Sequence, residues 1–165
     1  MPPIPGLEAA VPVTEAYASP EKLGQKVVIL GGGMAGTELA IYLKNLGKEP
    51  VVVEMASRPN FANNSCHSSA VMEQLGKLDI PARTGTKVTA VEPGRVKCQT
   101  AEGEAAFPAD SVVNALGRTP LQEEAAAFAP CADVFYPIGD CLAAKNVYEA
   151  NRLGFNVAMD IGKIL

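Results

Sequence analysis

The chain has 165 residues, a net charge of −4 from 14 Lys and Arg against 18 Asp and Glu, and 48% hydrophobic residues with no Trp. That length suits one well-buried domain and is short for two, and the mild negative charge with scattered cations points away from nucleic acid and from anionic membranes. No apolar run approaches the roughly eighteen residues of a membrane span. Met1 to Gly6 also lacks the basic and apolar parts of a signal peptide, so the expected location is cytoplasmic.

Residues 2 to 25 carry Pro2, Pro3, Pro5, Gly6, Pro12, Pro20 and Gly24, which predict an extended lead-in with one helical turn near Thr14 to Ala18. A lead-in of that kind suggests a segment of something longer, or an arm that docks on a neighbour. Val27-Val28-Ile29-Leu30 is then a β-branched, apolar run of buried parallel-strand length, followed without a spacer by Gly31-Gly32-Gly33-Met34-Ala35-Gly36. In that order the glycines have separate uses. Gly31 allows a tight turn, Gly33 lets backbone N–H groups approach a pyrophosphate, and Gly36 lets a helix lie close to the strand. Phosphates would sit at the helix N-terminus, where unpaired N–H groups and the dipole favour negative charge.

Gly36, Leu39, Ala40, Leu43 and Leu46 share one face of that helix, and Gly47 is its expected C-terminal cap. Val51-Val52-Val53 predicts a second buried strand. Glu54 closes it about twenty residues after the glycine turn, where a carboxylate accepts hydrogen bonds from an adenosine ribose and repels a 2′-phosphate. The expected ligand is therefore NAD(H), with NADP(H) disfavoured. Arg58, one short loop further on, is a solvated cation or, alternatively, a 2′-phosphate contact.

After a loop over residues 56–64, Cys66 to Leu78 has a helical pattern with Val71, Leu75 and Leu78 inward. Lys87 to Val91, Arg95 to Thr100 and Glu104 to Phe107 alternate as a three-stranded antiparallel meander broken at Pro93-Gly94 and Glu102-Gly103. Ser111 to Leu116 returns to a buried parallel strand ending at Gly117-Arg118-Thr119-Pro120, a turn expected to face the same crevice as Gly31 to Gly36. Leu121 to Phe128 predicts a short surface helix, Asp133 to Ile138 a further strand, and about Val147 to Ile164 an amphipathic helix with Ala150, Leu153, Gly154, Val157, Ala158 and Ile161 inward.

Cys66, Cys98, Cys131 and Cys141 form no CxxC pair, and the chain has one histidine, so the usual zinc and iron–sulfur spacings are missing. Cys66-His67 has the residue types of a nucleophile and its base. Neighbours in sequence rarely face each other on a helix, however, and a helix start capped by Asn64 or Ser65 is the preferred reading. The fold class is α/β: a Rossmann-like FAD/NAD(P)-binding domain with a parallel sheet flanked by helices and an antiparallel meander.

In order, Ile4-Pro5-Gly6, Gly31 to Gly36 followed by Glu38, Glu54, Ala115 to Pro120 and Ile138-Gly139-Asp140 resemble the flavoproteins with two dinucleotide-binding domains. The resemblance is closest to the C-terminal part of NADH:flavin oxidoreductases of the 2,4-dienoyl-CoA reductase and 2-enoate reductase type. It implies a lead-in over residues 1–25, an NAD(H)-binding domain over 26–120, and the second half of an FAD domain over 121–165. It further implies that Gly31, Gly33, Met34, Ala35 and Gly36 hold the NAD(H) pyrophosphate, Glu54 the ribose, and that Val88 lies near the adenine. Glu38 would sit near the nicotinamide, Gly117 and Arg118 over its side of the crevice, and Gly139 and Asp140 at the ribityl and pyrophosphate of FAD. For Glu38, Arg118 and Asp140 the plainer alternatives are a first-turn acid, a loop ion pair and a turn acid.

The implied function is positioning NADH for hydride transfer to FAD in a multidomain parent that reduces an activated double bond, with no acid, base or nucleophile required of this chain. Its implied partners are the remaining FAD and flavin-barrel domains. The alternatives are a small single-domain FAD-binding protein and a non-catalytic nucleotide-sensing module.

Overall fold

A computed structural model describes residues 3–59 and 65–163 of the chain. The chain forms two compact units, Met1–Leu116 and Gly117–Leu165.

The first unit is built on a five-stranded parallel sheet in the order β1-β8-β2-β3-β4, with β1 Val11–Pro12, β2 Lys26–Leu30, β3 Glu49–Val53, β4 Ala82–Arg83 and β8 Ser111–Asn114. An antiparallel sheet of β5 Lys87–Glu92, β6 Arg95–Thr100 and β7 Gly103–Pro108 is the expected meander. Helices α1 Val13–Ala18, α2 Met34–Asn45 and α3 Ser65–Lys77 complete the unit. Of the two caps expected there, Asn64 lies outside the described residues, as does the second half of the loop before it, and Ser65 is the first residue of α3.

The continuous apolar run of β2 has its explanation in the two cores. Val27 and Ile29 point to one face of the sheet, where they join Leu39, Ala40 and Leu43 of α2 and Val71 and Leu75 of α3. Val28 and Leu30 point to the other, where they meet Val88, Val96 and Cys98 of the meander. A strand covered on both faces has no polar side to show. Burying Leu39 and Leu43 completely stabilises the α2 contact by about 1.5–3 kcal/mol each.

The helix ends as its sequence predicts. Gly47 takes φ 81 just after the cap, its N–H reaches Lys44 O, and the Lys48 N–H reaches back to Leu43 O. Leu46, expected on the buried face, is 51% exposed because it already belongs to the cap.

The helical turn expected near Thr14 to Ala18 is α1, and much of the rest of the segment expected as an extended lead-in is folded as well. Val11 and Pro12 pair with Val113 and Asn114 as an edge strand, where a proline removes no needed donor, and Ala16 of α1 and Leu23 enter the core. The Pro5 carbonyl accepts from the Val91 N–H, tying the segment to the meander as well.

The second unit holds α4 Gln122–Ala126, 3-10 turns at Ala129–Cys131 and Gly139–Cys141, and α5 Val147–Asp160. The strand expected at Asp133 to Ile138 does not form. Pro137 lacks a donor, and no described residue of this unit is in a strand that would take the ladder bonds. Ala150, Leu153, Gly154 and Val157 of α5 are partly covered as the periodicity predicts, whereas Ala158 and Ile161 are exposed. Ile164 lies outside the described residues. No described helix is long and apolar enough to cross a membrane.

Candidate functional site

Strands β2 and β3 run parallel in register, Leu30 beside Val53, so the glycine turn and Glu54 leave neighbouring strands at the same carboxyl edge. Gly31 has φ 108, a backbone state that L side chains rarely adopt, and a Cβ there would lie 2.5 Å from Ala115 O. A Cβ on Gly36 would lie 2.1 Å from Gly31 O. Gly33, by contrast, is extended at φ −74 and ψ −178, so what it contributes is an absent side chain at the N-cap of α2. No side chain caps that helix. Its first intrahelical bond runs from the Thr37 N–H to Gly33 O at 3.0 Å, which leaves the N–H groups of Met34, Ala35 and Gly36 without helical acceptors. A row of unclaimed donors at the positive end of a twelve-residue helix is a seat for an anion. Thr37, fully buried, steadies it: its hydroxyl lies 2.9 Å from Gly33 O and 3.1 Å from Met34 O.

Glu54 is fixed from two sides. Its Oε2 accepts from the Gly32 N–H at 2.6 Å and its Oε1 from the Ala56 N–H at 2.8 Å. A carboxylate accepts about four hydrogen bonds, so roughly two directions remain for hydroxyl groups of a ligand. Gly32 must be small for this, because a Cβ there would meet the Glu54 Cβ at 2.8 Å. The neighbouring loop braces the acid through Thr86 N–H to Glu54 O and Gly85 N–H to Ala56 O. Arg58 is exposed in the loop that follows.

Glu38, in the second turn of α2, pairs with His67 of α3, Oε1 to Nε2 at 2.7 Å. Tyr17 of α1 feels the same carboxylate: burial first, and then the Glu38 charge, push its phenol up to about 12. Val88, expected near the adenine, is 9% exposed and packed into the meander core.

In the second unit Gly117 has φ 107 and Gly139 φ 75. Arg118 Nη1 lies 2.7 Å from Asp140 Oδ2, an exposed ion pair in which each group already has a partner. A hollow of about 190 Å³ beside the start of α5 is lined by Gly139, Asp140, Lys145, Asn146, Glu149 and Arg152 among others. Asn146 caps α5 by accepting from the Glu149 N–H at 2.9 Å, and the Arg152 hydrogen bond holds the Glu149 carboxyl below its ordinary range.

Gly31, Gly33, Met34, Ala35, Gly36 and Glu54 thus come together at one edge of the sheet, with Glu38 further along α2. A family model for pyridine nucleotide-disulphide oxidoreductases matches residues 1–133. The chain belongs to that family. It is 34% identical to an NADH oxidase of Thermoanaerobacter brockii, over 83% of this chain and 21% of that protein. It is 30% identical to a cinnamate reductase of Clostridium sporogenes, over 96% of this chain and 24% of that protein. A solved complex of 2-naphthoyl-CoA reductase with 2-naphthoyl-CoA superposes with TM-score 0.85 at 29% identity, covering 94% of this chain and 24% of that one. The chain therefore spans about a quarter or less of the length of these relatives.

Four contributors were missed in the sequence: Gly32, Thr37, Ala56 and His67. Ala56 acts through its backbone N–H, which carries no residue-type signal, whereas Gly32 donates its N–H and must also be glycine-sized, a signal hidden in a run of three glycines. Thr37 sits one residue past the last glycine, where a hydroxyl reaches back to the helix start, a signal available to any reader of helix ends. In the sequence His67 stands out only beside Cys66, because adjacency says nothing of a partner twenty-nine residues away.

Proposed function

We propose that this chain is the NAD(H)-binding portion of a larger flavin-dependent oxidoreductase and that it positions the dinucleotide for transfer to FAD. What carries the reading is the helix start itself: Gly31 and Gly36 let the turn and α2 pack so closely that a Cβ would meet backbone oxygen at 2.5 and 2.1 Å, and α2 begins uncapped beside them, its first N–H groups free for an anion. The fit to a dinucleotide is good on that ground. The N–H groups of Met34, Ala35 and Gly36 hold the pyrophosphate and Glu54 accepts from the adenosine ribose, its charge opposing a 2′-phosphate. Glu38 faces the nicotinamide half. When bound, NADH supplies a hydride and the flavin of the larger protein accepts it.

The residues of this chain bind and orient, which is sufficient for a reaction whose chemistry the cofactors carry. Gly139 and Asp140 add to a flavin site completed by other domains. The larger protein in this proposal reduces an activated double bond of enoate or dienoyl-CoA type, a reading supported by the similarity to a cinnamate reductase and a 2-naphthoyl-CoA reductase.

Parallel titrations with NADH, NADPH and FAD test it. Saturable NADH binding, weaker NADPH binding and no stoichiometric FAD in the isolated chain are expected. Absence of NADH binding refutes the proposal, and tight FAD binding by this chain alone would replace it with a small flavoprotein.

A further inference from the structure

Three elements converge on one carboxylate outside the phosphate cradle. Glu38 projects from the second turn of α2, His67 from the first turn of α3 meets it at 2.7 Å, and Tyr17 on α1 senses its charge. An ionised carboxylate only accepts, so the Nε2–H of His67 donates. Both side chains remain about one-third exposed, His67 at 36% and Glu38 at 39%, so the pair is reachable by a ligand and is not sealed in the core.

An unpaired glutamate in this position would sample several rotamers, with nothing on α2 to select among them. Glu54, the other acid of the site, is held by two backbone N–H groups. Among the described residues no backbone N–H clamps Glu38 in this way, and its hydrogen bond to His67 ties it to a second element. The two acids belong to different ends of the site: Glu54 adjoins the turn from the β3 side, whereas Glu38 follows the phosphate seat along α2.

We propose that His67 is a positioning residue: by donating to Glu38 it fixes that carboxylate toward the nicotinamide half of the bound dinucleotide, and so sets affinity for that half alone. The proposal rests on the NAD(H) reading above. ADP-ribose shares the adenosine, pyrophosphate and second ribose of NADH and lacks the nicotinamide. A residue that acts on the ring end through Glu38 therefore separates the two ligands, whereas one that merely holds α3 against α2 weakens both together.

The experiment titrates the full chain with NADH and with ADP-ribose in five forms: unaltered, His67→Ala, His67→Gln, Glu38→Ala, and His67→Ala combined with Glu38→Ala. Expected is a loss of about fivefold to tenfold in NADH affinity for His67→Ala, the scale of one partly exposed charge-assisted hydrogen bond, with ADP-ribose affinity changed less than about twofold. His67→Gln, which keeps a side-chain N–H donor, should recover most of the loss. In the Glu38→Ala background, His67→Ala should change nothing further. Equal losses for the two ligands, no recovery with Gln, or an undiminished effect without Glu38 would each overturn the positioning role. An unaltered chain that binds neither ligand overturns the dinucleotide reading itself, and one that binds both while His67→Ala has no effect overturns only this inference.

Discussion

Gly36→Ala isolates the close approach of α2 to the β2 turn, because Gly36 has ordinary helical backbone angles and the substitution introduces no left-handed strain. Its Cβ would lie 2.1 Å from the carbonyl oxygen of Gly31 and 3.3 Å from the Ala115 side chain. Neither neighbour yields cheaply: the first is backbone in a turn already fixed at φ 108, and the second belongs to the strand-end that flanks it. Ala in a helix gains up to about 1 kcal/mol over Gly in propensity, whereas overpacking a tight contact costs about 1–3 kcal/mol, and an approach this close belongs at the top of that range. The net loss should be about 2 kcal/mol. Urea denaturation followed by circular dichroism should show it as a lower midpoint with an unchanged slope, and a thermal melt should fall by about 4–8 °C. The start of α2 must also retreat from the turn, so NADH affinity should drop by at least about tenfold. A variant as stable as the parent, binding NADH equally well, would refute the argument that this glycine is required by contact.

Glu54→Gln keeps one acceptor and sets an amide against either the Gly32 or the Ala56 N–H, so NADH affinity should fall on the order of tenfold while the preference over NADPH narrows, read by parallel titration. Thiol labelling near pH 8 should modify the exposed Cys66 and Cys131 and spare Cys98, whose thiol burial pushes up to about 11, with the sites assigned by peptide mass spectrometry. Ultraviolet titration should find one of the four tyrosines ionising last, near pH 12, and Tyr17→Phe should remove it. Because the folded pKa of Tyr17 lies above its ordinary value of 10.0, its contribution to stability is whole below about pH 10 and is lost as pH rises through about 12, which urea midpoints across that window would register.

The parts of the fold that were legible in the sequence are those governed by period and by glycine. The β2 run, the α2 stripe and the meander each obey one periodicity over enough residues to exclude the others. In the lead-in only the helical turn near Thr14 to Ala18 was legible; two residues of edge strand are too short to show a period, and the prolines resemble linker chemistry until Val11 is seen beside Val113. Asp133 to Ile138 failed in the opposite way: apolar and β-branched residues suggest a strand, but a strand needs a neighbour to accept its backbone bonds. At the site, the cradle and Glu54 were readable from spacing, whereas the Glu38–His67 and Arg118–Asp140 pairs depend on tertiary approach.

The span from Gly117 onward contains no buried residue among those described, yet Phe128, Val147, Tyr148, Phe155 and Ile161 each show more than half of their surface to solvent. Such a span has little to resist opening with, so its amides should exchange with deuterium early and limited digestion should trim the protein back toward the sheet before touching it. Crowded solutions would feel the same deficit as stickiness between molecules.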